Sequence, residues 1–201
     1  MFMEKVTNEY SLYDKLCLAI WVIRSKFISR NIRIIRFPID IRGHKYIEFG
    51  KGFTTGRNCR MDVFDSMSRG KSLVFGKNVQ MNDNVHIVCE DSITIGDNVL
   101  MASHIFISDC SHGSYKGDEN DTSPTIPPAK RPLPSNPIKI GNNVWIGEGV
   151  IVMPGVTIGD GCVIGAHSLV AKDVPSNSIA VGSPLRIVKQ YNFETKRWEK
   201  V

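Results

Sequence analysis

The 201-residue chain contains no C-x-x-C pair, and its five cysteines make no even framework. A disulfide-stapled scaffold is therefore excluded, and a reducing cytoplasm suits the composition. Long hydrophobic runs are also missing. The stretch Leu16 to Ile23 follows Asp14 and Lys15, ends at Arg24 and lacks a small-residue cleavage site, so it is not read as a signal peptide. It is far too short to span a bilayer. No basic motif interleaved with aromatics is present, and no nucleic-acid partner is expected. Charge of one sign is scarce as well: 25 Lys and Arg against 20 Asp and Glu give a net charge of +5.

What the chain does have is a repeat. From Ile140 to Pro175 it runs I-G-N-N-V-W, I-G-E-G-V-I, V-M-P-G-V-T, I-G-D-G-C-V, I-G-A-H-S-L, V-A-K-D-V-P. An aliphatic residue recurs every six positions (Ile140, Ile146, Val152, Ile158, Ile164, Val170), with a small or apolar residue two earlier (Ile138, Val144, Val150, Val156, Cys162, Ser168). Positions i−2 and i of a strand point to one face, so each hexapeptide is a short strand with two inward side chains, then a corner. Gly, Asn and Asp crowd the corners because they tolerate left-handed backbone. Three strands and three corners close a triangular turn of 18 residues. Turns stack at about 4.8 Å, giving a parallel β-solenoid.

The repeat extends backwards to five coils beginning at Phe49, Phe75, Ile95, Ile140 and Ile158, each with an apolar partner two residues earlier (Ile47, Leu73, Ile93, Ile138, Val156). Breaks interrupt the coils at Met67 to Ser72, near Ser92 to Thr94, and over 113–137, where six prolines predict a long semi-rigid functional loop. Residues 1–30 form an amphipathic helical segment, 31–188 the solenoid and 189–201 a tail predicted as helical, with Trp198 docking. The helix spans about Ser11 to Ser29, with Ser11 as N-cap and a stripe of Leu12, Leu16, Ile20, Ile23 and Phe27. That stripe packs on the solenoid end or a neighbouring subunit, or rests on a membrane surface. Basic residues gather near both ends of the chain, at Arg24, Lys26, Arg30, Arg33 and Arg36 and again from Arg186 onward.

Outward positions sort by side of the triangle. One side carries Glu48, Val74, Thr94, Lys139 and Thr157; the second Thr54, Gln80, Leu100, Trp145 and Val163; the third Arg60, His86, Phe106, Ile151 and Leu169. Large apolar groups on two different sides make a heterologous contact, which a ring of three closes, so a homotrimer is predicted.

The segment I-G-D-N-V-L-M-A-S-H-I-F-I-S-D-C-S-H (95–112), N-N-V-W-I-G (142–147), V-A-K-D-V-P and A-V-G-S-P resemble the hexapeptide-repeat acyltransferases, which include the galactoside and maltose acetyltransferases. With R-I-I-R-F-P and S-P-T-I-P-P, the chain is more similar still to bacterial lipopolysaccharide O-antigen O-acetyltransferases. The resemblance implies an all-β, left-handed parallel β-helix, a trimer, acetyl-CoA as donor and clefts between subunits as active sites. It implies His112 as the base that takes a proton from a sugar hydroxyl. Asn82 matches a sugar contact, while its plain reading is a corner residue. Asp109 either orients His112 or contacts the sugar, or is a corner residue; His86 is outward and joins the cleft. Trp145 matches a CoA-cleft residue, the Glu148 N–H an oxyanion donor, and Gly147, Gly165 and Ala166 the path of the pantetheine arm. Lys172, Arg186 and Lys189 would together hold the CoA phosphates.

The implied function is acetyl transfer to a sugar hydroxyl in bacterial surface-polysaccharide synthesis, without a metal. The acceptor is a sugar nucleotide, a lipid-linked oligosaccharide or a polymer, in the cytoplasm or peripherally at the inner membrane. Three other readings stand beside it: an acetyltransferase acting on a small free sugar or sugar nucleotide, a zinc-dependent carbonic anhydrase using His86, His104 and His112, and a non-catalytic scaffold or lipid-binding solenoid.

Overall fold

A computed structural model describes residues 10–64, 70 and 72–201. Residues 1–9 of the N-terminal segment, and most of the break at Met67 to Ser72, lie outside the described residues. Short parallel strands stack into three sheets that form the sides of a triangular prism. Alternate residues of each strand face inward, and one coil contributes Ile138, Ile140, Val144, Ile146, Val150 and Val152, all at 2% exposure or less. Neighbouring coils bury each other's apolar faces, so no single coil has a core of its own.

The cross-coil register is the one the repeat predicts. The first side aligns Glu48, Val74, Thr94, Lys139 and Thr157. The second aligns Thr54, Gln80, Leu100, Trp145 and Val163. The third aligns Arg60, His86, Phe106, Ile151 and Leu169. These are called the Lys139, Trp145 and Phe106 faces. The stack begins earlier than the first predicted coil, because Ile34–Ile35 pairs with Thr54–Thr55 and Ile39–Arg42 with the strand from Cys59.

Side chains fasten the corners from one coil to the next. Between the Lys139 and Trp145 faces, the N–H of Lys77 donates to Asp97 Oδ1 (2.7 Å), Asp97 to Asn142 Oδ1 (2.8 Å), Asn142 to Asp160 Oδ1 (2.6 Å) and Asp160 to Ser176 Oγ (3.2 Å). The following residues, Asn78, Asn98, Asn143, Gly161 and Asn177, all have φ between 56° and 67°. Asn and Gly fill this column because other side chains resist the left-handed region.

Helix α1 (Leu12–Ile28) has Ser11 as N-cap in a capping box with Asp14. It docks through Trp21, Ser25 and Ile28: Ser25 Oγ is buried and accepts from Ile35 N at 2.7 Å, Trp21 lies under Arg57, and Ile28 packs against the core. The predicted stripe is the other face, so it does not cover the solenoid end. Leu12 is 85% exposed and Phe27 87%, with Leu16, Ile20 and Ile23 also exposed.

The tail is not helical. Arg186–Asn192 turns back antiparallel on Ser178–Val181, and Arg197–Lys200 completes a hairpin in the Trp145 sheet. Asn192 Oδ1 closes its turn by accepting from Glu194 N (2.9 Å), and Trp198 packs edge-on against Tyr191. A strand edge left open by the last coil supplies the pairing that the tail's own weak helical pattern could not. The first strand of this hairpin also runs through the expected boundary between 188 and 189.

Candidate active site

The third strand of the central coil, Phe106–Ser108, leads into the segment that carries His112. Here the Pro-rich loop leaves and rejoins the wall as a closed neck. Cys110 bridges Ser135 in antiparallel fashion, Asn136 N donates to Asp109 O (2.8 Å), and Gly113 N donates to Pro132 O (2.9 Å). Gly113 has φ +104°, and a Cβ there would meet Tyr115 Oη at 2.6 Å, so only glycine suits the site. Tyr115 donates its hydroxyl proton to the carbonyl of His112 and accepts from Arg131 Nη1 at 2.7 Å, while Arg131 Nε reaches Ile126 O at 2.8 Å. The backbone of His112 is thereby fixed. Its ring is exposed and makes no hydrogen bond with any described residue. Arg131 and Tyr115 escape sequence reasoning; the one signal is an arginine set inside a run of prolines.

Asp109 is a corner residue. It is wholly buried, and its carboxylate accepts from the N–H groups of Glu90 (2.7 Å), Asp91 (2.9 Å) and Ser92 (2.9 Å). Burial raises its pKa, while those backbone hydrogen bonds pull the other way. The side chain is thus committed to holding the break at Ser92, and no hydrogen bond joins it to His112.

His86 stands outward beside Phe106, ring centroids 5.3 Å apart. Its Nε2 lies 3.1 Å from Asp62 Oδ2. Asp62 is almost fully buried and also pairs with Arg60 (2.7 Å) and Arg42 (3.5 Å). Burial alone would raise its pKa, but the hydrogen bonds of His86 and Arg60 and the charges of Arg60 and Arg42 prevail and lower it. Arg60 and Asp62 share one face of their strand by simple alternation, a signal the sequence did carry.

The corner between the Trp145 and Phe106 faces gathers Asn82, Gly147, Glu148, Gly165 and Ala166. Asn82 is exposed just past Gln80–Met81, as a corner residue. Positive φ recurs at Asn58, Asn84, His104, Gly149 and His167. As at the other corner, side chains cap amides of the preceding coil: Arg57 N–H donates to Asp83 Oδ1 (2.7 Å) and Ser103 N–H to Glu148 Oε2 (2.9 Å). The Glu148 side chain therefore has a structural task. Its own N–H faces the next coil at Ala166, whose methyl accepts nothing, and no described residue accepts from it. A corner amide without a cap is an available donor. Trp145, 53% exposed, precedes Gly147 on the adjoining face, with Leu100 exposed beside it.

The site residues form two sets. His112 lies past the far end of the Phe106 face from the Glu148 corner. From His104 to Cys110 are six residues, about 20 Å at roughly 3.3 Å each. Lys172 sits beyond Leu169–Val170, on the His112 side of that face, whereas Arg186 and Lys189 lie on the hairpin of the Trp145 sheet. The three cations do not form one cluster within a chain, because consecutive corners of a coil point to different edges of the prism. Among the described residues no group of three or more His, Cys, Asp or Glu side chains is placed to hold a metal. His86 is on a strand, His104 at a corner and His112 in the loop.

A closed triangular solenoid built from six-residue units of strand and corner is the architecture of a hexapeptide-repeat helix. The bacterial transferase hexapeptide (six repeats) family matches residues 137–172. The chain is 45% identical over 197 residues, 98% of each chain, to WbbJ of Escherichia coli (strain K12), provisionally named a lipopolysaccharide biosynthesis O-acetyl transferase. It is 38% identical to the galactoside O-acetyltransferase of the same organism, over 72% of this chain and 67% of that one. Among solved structures, the N-acyltransferase AntD of Bacillus cereus superposes with a TM-score of 0.69, covering 86% of this chain and 90% of that one at 22% identity. The hexapeptide-repeat acetyltransferase VCA0836 of Vibrio cholerae, complexed with acetyl coenzyme A, superposes at 0.55, with 85% and 78% covered and 26% identity. The chain belongs to the hexapeptide-repeat acyltransferases, and its fold is their left-handed parallel β-helix. It is an acetyltransferase.

Proposed function

We propose that the protein transfers acetyl from acetyl-CoA to a sugar hydroxyl of a bacterial surface polysaccharide, with His112 as general base and the Glu148 amide as oxyanion donor. The observation that carries this reading is the uncapped Glu148 N–H beside Gly147 and the exposed Trp145; in the preceding coils the amides at Arg57 and Ser103 are capped, while that of Asp83 likewise has no acceptor among the described residues. His112 accepts the hydroxyl proton as that oxygen bonds to the acetyl carbonyl carbon. The Glu148 N–H donates to the carbonyl oxygen as negative charge builds there. When the carbon–sulfur bond breaks, His112 returns the proton to the departing thiolate. Gly147 and Gly165 keep the corner clear for a pantetheine arm, and Trp145 walls it. The relative named for lipopolysaccharide synthesis supports a polysaccharide acceptor.

His112 and Glu148 lie too far apart in one chain to act on one carbonyl, so the working site is assembled from two copies. Exposed Leu100 and Trp145 on one face, and Ile151 and Met153 on the other, supply the two unlike apolar surfaces that a cyclic trimer joins. The same pairing would bring Lys172 of one copy toward Arg186 and Lys189 of another for the CoA phosphates.

Thiol release from acetyl-CoA against sugars, sugar nucleotides and lipid-linked oligosaccharides tests the reading. Acceptor-dependent release should fall at least about a hundredfold in His112→Gln. Turnover near that of the parent in a folded His112→Gln protein removes His112 from the mechanism.

A further inference from the structure

The exposed stripe of α1 ends beside a cationic hollow of about 510 Å³ lined by Lys26, Arg30, Asn31, Arg33, Lys51, Gly52, Lys77 and Asn78. Five of these carry positive charge and none is acidic. The corner ladder between the Lys139 and Trp145 faces stops here as well. In the later coils the position equivalent to Lys77 offers an oxygen (Asp97, Asn142, Asp160, Ser176) to the amide of the coil before. Lys77 offers only an ammonium, so the Lys51 N–H has no acceptor among the described residues. Uncapped amide and cations point the same way, to an anion.

The helix is built to match. At about 100° per residue, Leu12, Leu16, Ile20, Ile23 and Phe27 fall within about 80° of arc. Lys15 and Lys26 flank one edge and Arg24 the other. Lys26 lies about 60° from Ile23 and also lines the hollow, which makes stripe and hollow continuous. The helix's one acid, Asp14, is turned to the docked side and held by Ser11. An apolar stripe bordered by cations is the pattern of a helix lying in the headgroup layer of an anionic membrane.

We infer that α1 and the Lys51–Lys77 hollow form a docking surface for an anionic phospholipid bilayer. The stripe enters the acyl boundary and the hollow takes phosphate headgroups. The enzyme would thus work at the membrane face, where lipid-linked acceptors are presented. Membrane binding itself does not depend on the acetyl-transfer reading.

The test is flotation of the full chain with vesicles of phosphatidylglycerol and phosphatidylethanolamine, against phosphatidylcholine vesicles, at low and high salt. Co-flotation is expected with the anionic vesicles alone and should weaken in salt. Phe27→Glu with Ile23→Glu, and separately Lys51→Glu with Lys77→Glu, should each reduce vesicle-bound protein at least about tenfold, with CoA binding and thermal unfolding unchanged. Absence of flotation by the parent protein overturns the inference. So does dissociation of the native oligomer in Phe27→Glu/Ile23→Glu, since a second copy would then cover the stripe.

Discussion

Replacing Ala166 by Asp should close the proposed oxyanion donor without harming the fold. Asp83 occupies the equivalent corner position and accepts from Arg57 N at 2.7 Å, so the aspartate geometry is already present in this column. An Asp at 166 would accept from Glu148 N–H in the same way and place a carboxylate where negative charge must develop. Loss of one oxyanion donor costs about 10²–10³ in kcat, and the new carboxylate adds repulsion. The corner gains a hydrogen bond worth about 1 kcal/mol, which shifts the unfolding temperature by roughly +2 to +4 °C in a chain of this length. Thiol-release kinetics and thermal unfolding read the two effects independently. Ala166→Val supplies bulk without an acceptor. Full turnover in Ala166→Asp, or an equal loss in Ala166→Val, would refute the reasoning. The same variant tests whether two copies share a site: refolded together in equal amounts, Ala166→Asp and His112→Gln should recover about a quarter of parental activity, because random rings pair an intact base with an intact corner at about one interface in four. No recovery means that both groups act within one chain.

Two further expectations concern groups assigned to stability. Asp109→Ala removes the acceptor of three N–H groups at 90–92 and should cost about 2–4 kcal/mol, with turnover per folded molecule retained; a kcat loss without destabilisation would return Asp109 to the catalytic site. Asp62→Asn should be less stable than the parent at neutral pH. Because the folded pKa of Asp62 is depressed, its contribution is complete above the unfolded value near ~3.9 and disappears as pH falls through the folded value. Urea midpoints of parent and variant should therefore converge below about pH 4, and a pH-independent gap would exclude the linkage.

Much of the site's scaffold was legible because the hexapeptide repeat is a local signal that corrects itself in every coil. Five coil starts and all three outward columns follow from it. Asp109 was ambiguous because its partners at 90–92 belong to the preceding coil, about twenty residues away in sequence. Lys172, Arg186 and Lys189 looked like a cluster because they are near in sequence, whereas successive corners of a triangle face different edges. The uncapped amides at Glu148 and Lys51 are defined by what the next coil lacks, and they become visible only when residues 148 and 166, or 51 and 77, are stacked.

The sequence by itself determined the coil, its register, the capped start of α1 and the place where the loop departs, since each depends on side-chain alternation or on groups within a few residues. The tertiary structure decided which face of α1 was left bare, that the tail pairs as a hairpin, and which corner amides remain free. Those outcomes depend on which surface arrives opposite a given segment. A helix with apolar residues on two sides can dock through either, and the contacts of Trp21 and Ile28 together with Ser25 bonding to Ile35 N chose the side opposite the stripe.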